Sequence, residues 1–81
     1  MSSTAADVNR DQERRHLAQA NRHIADVKLH IARQRNAIEK LKAGNHSTEM
    51  AESMLITLGG SLRAFERHRQ LILALLQDAH K

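Results

Sequence analysis

Leu17, Ile24, Ile31 and Ile38 recur every seven residues, and Ala20, Val27, Gln34 and Leu41 recur on the same period three places later. Apolar residues spaced in this way form the a and d rows of a helix that packs along one partner helix. A strand would need a period of two, which neither half of the chain shows. A second segment repeats the device, with Leu55, Leu62, Arg69 and Leu76 at a and Ala51, Leu58, Phe65, Ile72 and Ala79 at d. The chain has no proline, and its three glycines stand only at Gly44, Gly59 and Gly60.

The breakers therefore divide the chain into two long helices, expected at about 5–43 and 48–79 with a turn at 44–47, within a single domain covering 1–81. Thr4 with Asp7, and Asn9 with Gln12, both suit a helix start, while Lys40 and Lys42 suit a C-terminal dipole. Gly44 reads as the left-handed residue that ends helix 1, with Ser47 or Asn45 capping helix 2 and Glu49 and Glu52 in its first turn. A connection this short forces an antiparallel, coiled-coil-like αα-hairpin. Placing Ile38 against Ala51 then sets Ile24 beside Phe65 and Ala20 beside Arg69. Arg35 and Lys42 fall near Glu52 and Lys28 falls near Glu66. Gly59 and Gly60 admit two readings, a continuous helix that tolerates them or a break into a third helix.

An 81-residue chain without cysteine is near the limit at which one core suffices, so oligomerisation is the expected staple. Helix 2 shows where it would act. Met50, Met54, Ala64, Leu71 and Leu75 form a second apolar stripe, interrupted by Thr57, Ser61 and His68, that one partner helix cannot cover. In an antiparallel hairpin Met54, Ser61, His68 and Leu75 share a flank with His16, His23, His30 and Ala37. This face, with Met50 and Leu71, is the expected homodimer interface, two hairpins giving a four-helix bundle.

The same composition excludes much chemistry. Without cysteine there is no thiol nucleophile or thiolate metal site. Phe65 is the sole aromatic of the Phe, Trp and Tyr class, so no stacking platform for bases exists. No glycine-rich phosphate loop, no His-Glu-Xaa-Xaa-His and no pocketed carboxylate pair is present, so neither an enzyme nor a cofactor is expected. His16, His23 and His30 stand two turns apart, about 10.5 Å, which is too far for one metal ion. His23 falls near His68, leaving open a two-histidine site completed by a second copy. The row also reads as a pH-sensitive rim, since imidazolium groups repel below about pH 6, or simply as amphipathic cover for the seam. Arg69 and Gln34 at core positions read as register determinants, Arg69 reaching past Ala20 toward Glu13 or Glu66.

The charge balance is +4, with the cations concentrated in helix 1. Arg22, Arg33, Arg35, Lys40 and Lys42 could track a phosphate backbone, so a small basic bundle binding RNA or DNA is the alternative reading. These cations spread over several faces, however, and no helix-turn-helix pattern accompanies them. The longest apolar run, Leu71 to Leu76, is far shorter than the roughly twenty residues of a membrane span. Met1 to Ala6 lack the layout of a secretory signal, so a cytoplasmic protein is expected, with surface association through the Leu71 to Leu76 end as a lesser idea.

His16-Leu17-Ala18-Gln19-Ala20, Ile38-Glu39-Lys40-Leu41 and Arg67-His68-Arg69-Gln70-Leu71-Ile72-Leu73 resemble short proteobacterial helical-hairpin proteins with no assigned activity. The resemblance spans most of the chain and implies a fold but no function; Gly59 and Gly60 depart from it. Similarity to the Rop type of RNA-binding hairpin dimer lies in architecture only. The resulting expectation is a non-enzymatic helical scaffold or protein-interaction module.

Overall fold

The computed structural model describes residues 4–78, which form an antiparallel helical hairpin of α1 (Ala5–Ala43) and α2 (Glu49–Asp78). It measures 65 × 19 × 14 Å. With 39 residues against 30, α1 is longer than α2 by about 13 Å at 1.5 Å per residue, and Asn9, Arg10 and Glu13 of its N-terminal turns line a groove with Leu75 and Leu76.

Local chemistry sets each helix end. The Asp7 N–H donates to Thr4 Oγ1 at 3.1 Å and the Thr4 N–H donates to Asp7 Oδ2 at 3.4 Å, a reciprocal capping box on an extended N-cap residue. At the other end the His46 N–H donates to the Leu41 carbonyl (2.9 Å) and the Asn45 N–H to the Lys42 carbonyl (3.1 Å). This is a complete Schellman closure. Gly44 is not the left-handed residue that its type and position suggest. Gly44 lies at φ −90°, and Asn45, at φ 58°, takes the left-handed position. The helix runs one residue further than the glycine suggests, and asparagine is among the few L residues that accept this conformation.

Helix α2 begins at Glu49, one residue after its expected start. The Thr48 carbonyl accepts the first helical bond, from the Glu52 N–H at 2.8 Å, and Ser47 Oγ accepts from the Glu49 N–H at 3.5 Å. The helix then continues unbroken through Gly59 and Gly60, which removes the three-helix alternative. A Cβ at either glycine would meet only an Arg63 guanidinium nitrogen, at 3.6 and 3.9 Å.

The core is the single seam between the helices. Ala20, Ile31, Ile38 and Ile72 are buried, and every one is an a or d residue. The other described seam residues, Leu17, Ile24, Leu55, Leu62 and Phe65 among them, are half-buried, because two helices leave both flanks of their seam open to water. Three contacts lock the register. Gln34 Nε2 donates to the Ala51 carbonyl at 2.9 Å, the His23 and Phe65 rings lie 5.1 Å apart at 49°, and Arg69 Nε donates to Asn21 Oδ1 at 2.7 Å. Arg69 thus ends on Asn21 and not on Glu13 or Glu66.

Candidate functional site

The two flanks of the hairpin differ in chemistry. On one, Lys28 and Glu66 line a groove with Asn21, Ile24, Arg69 and Gln70, and Arg35, Lys42 and Glu52 line a second with Ile38, Glu39 and Leu55. The expected neighbours do share these grooves. Lys42 nevertheless pairs within its own helix, 3.7 Å from Glu39. Such exposed pairs contribute about 0 to 1 kcal/mol each.

The other flank continues the uncharged face of α2. Met50 is 88 % exposed, Met54 57 %, Leu71 65 % and Leu75 54 %. His68 is exposed and Ser61 half-buried. From α1, His16, His23, His30 and Ala37 are exposed beside this face, His23 held by its ring contact with Phe65. Glu13 lies 3.6 Å from His16 Nδ1, an ion pair when that imidazole is protonated. The polar group of Thr57 is spent locally, because its hydroxyl donates to the Ser53 carbonyl at 3.2 Å.

Ile56, 73 % exposed, was not anticipated. It lies off both heptad rows of α2, so the periodicity that found the other residues passes over it. Its only signal is hydropathy at an outward position, which scattered surface apolar residues also give.

Arg22, Arg33, Arg35, Lys40 and Lys42 are all exposed on α1. At about 100° per residue they fall into two groups, Arg22, Arg33 and Lys40 in one and Arg35 and Lys42 in the other, that together span about 180° of its circumference, so no single groove or strand could meet them together. Among the described residues no group of three or more His, Asp or Glu side chains could hold a metal ion, and no helix is long and apolar enough to cross a membrane. Comparison with protein families, with curated proteins and with solved structures gives no match to this chain.

Proposed function

We propose that the chain is a non-enzymatic, self-associating helical scaffold that works through protein–protein contact on the uncharged face of α2. One observation carries this reading: Met54, Leu71 and Leu75 recur along one side of a helix and are each more than half exposed in the single hairpin. Large apolar side chains exposed along one uncharged helix face mark an interaction surface. The grooves of the other flank are lined by charged side chains, of which Lys42 pairs with Glu39.

The coiled-coil-like seam supplies rigidity, and the second face supplies the partner site. A dilution series by sedimentation equilibrium tests the reading. The expected outcome is a dimer that dissociates on dilution and a Leu71→Glu variant that stays monomeric and helical. A folded monomer at every concentration would overturn it.

A further inference from the structure

The exposed face of α2 has an internal symmetry. From Met50 to Leu75 its residues follow alternating steps of four and three, and none is Lys, Arg, Asp or Glu. Reflected about a point between Leu62 and Arg63, Met50 meets Leu75, Met54 meets Leu71, Thr57 meets His68 and Ser61 meets Ala64. Large side chains thus occupy both ends and small ones the middle. Two helices that cross at an angle are closest at the crossing point and diverge beyond it, so this size profile fits a helix crossing its own copy at Ser61 and Ala64.

We propose that two copies dock α2 against α2, antiparallel, about a two-fold axis at Ser61 and Ala64. The proposal rests on the self-association read above and gives it a geometry. The reflection itself selects the antiparallel sense: only an antiparallel pair brings Met54 to Leu71 and Met50 to Leu75 of the second copy, whereas a parallel pair sets each residue beside itself. An antiparallel pair also opposes the two helix dipoles.

Surface area favours a second copy as the occupant. The hairpin exposes 6408 Å², against about 4,900 Å² for a compact monomer of 9.2 kDa. The surplus, about 1,500 Å², exceeds the roughly 800 Å² that each partner buries in a standard interface. Helix α1 then lies outside the α2 pair, with His16, His23 and His30 on the rim of the contact.

Absence of native cysteine makes the geometry directly readable. Positions 54 and 71 are about 25 Å apart along one helix, too far for a disulfide within a chain. Under mild oxidation the full-length Met54→Cys, Leu71→Cys double variant is expected to convert to covalent dimer, as is an equal mixture of the two single variants, while each single variant alone stays uncrosslinked. Crosslinking of Met54→Cys with itself would mean parallel docking and overturn the proposal. So would failure of the double variant and of the mixture. Sedimentation of the unmodified chain separates the two levels: a dimer with the wrong crosslinks removes only this geometry, and a monomer removes the self-association as well. Circular dichroism of each variant confirms that the hairpin has formed.

Discussion

Gln34 reaches across the hairpin to donate its amide N–H to the Ala51 carbonyl, 2.9 Å away and partly buried. A polar residue in an otherwise apolar row loses transfer energy, and what it gains is a fixed partner on the opposite helix. Gln34→Ala is expected to lower unfolding free energy by about 1 kcal/mol, the net worth of one such hydrogen bond. Gln34→Leu is expected to restore or exceed the original stability, because the seam gains apolar area. Urea denaturation of the three proteins checks this. If Gln34→Leu is as unstable as Gln34→Ala, the bond itself, and not register, is what the position contributes.

Gly59 offers a stabilising substitution. It lies mid-helix, and a Cβ built there meets only Arg63 Nη1, at 3.6 Å, an ordinary contact with the end of a flexible side chain. Gly59→Ala should add about 1 kcal/mol, which in a domain of this size raises Tm by about 4–8 °C. Thermal melts followed by circular dichroism test it, and a fall in Tm would mean that the helix needs the glycine for a close approach.

Asn45, at φ 58°, sets two opposing effects against each other. Glycine would relieve the steric cost of the left-handed conformation but widen the unfolded ensemble, each by about 0.5–1 kcal/mol, so Asn45→Gly should be nearly neutral. Asn45→Val has no such offset and should cost about 1–2 kcal/mol. Equal melting of all three proteins would place the turn's stability outside this residue.

The hairpin was legible in the sequence because Leu17, Ile24, Ile31 and Ile38 state a period that only a helix satisfies, and Ala20, Ile31, Ile38 and Ile72 are buried where that period puts them. Continuity at Gly59 and Gly60 needed coordinates, since propensity gives a cost while tertiary packing decides whether it is met. The turn was misread by one residue because glycine and asparagine compete for the same left-handed position and lie adjacent. Arg69 donates to Asn21 and not to a carboxylate, a choice of partner that heptad periodicity does not state. The uncharged face was legible from Met54, Leu71 and Leu75. Ile56, outside both rows, was not.

The capping box is pH-dependent. Hydrogen bonds from the Thr4 side chain and then its backbone, with Arg10 adding electrostatic attraction, hold the Asp7 carboxyl below its ordinary value of 3.8. A depressed carboxylate contributes stability that is full above the unfolded value and is lost as pH falls through the folded one. Because Thr4 and Asp7 are exposed at the very start of α1, several turns from the buried Ile31 and Ile38, the loss should be local. Between pH 5 and pH 2.5, amide signals of Val8 and Asn9 should shift toward coil while those of Ile31 and Ile38 hold. Uniform loss at both places would show that the cap supports the whole hairpin.

Nucleic-acid binding is separable from scaffold behaviour by salt dependence. A duplex bound through all five of Arg22, Arg33, Arg35, Lys40 and Lys42 would release counterions with a slope of about −4.5 in log K against log salt. These side chains are spread around α1, and Lys42 lies 3.7 Å from Glu39, so fewer can act together. Fluorescence anisotropy with labelled RNA and DNA duplexes should show no saturable binding at 150 mM salt and a much shallower slope at 50 mM. A slope near −4.5 that shrinks by about 1 on Arg33→Ala would replace the scaffold reading with a basic bundle that binds nucleic acid.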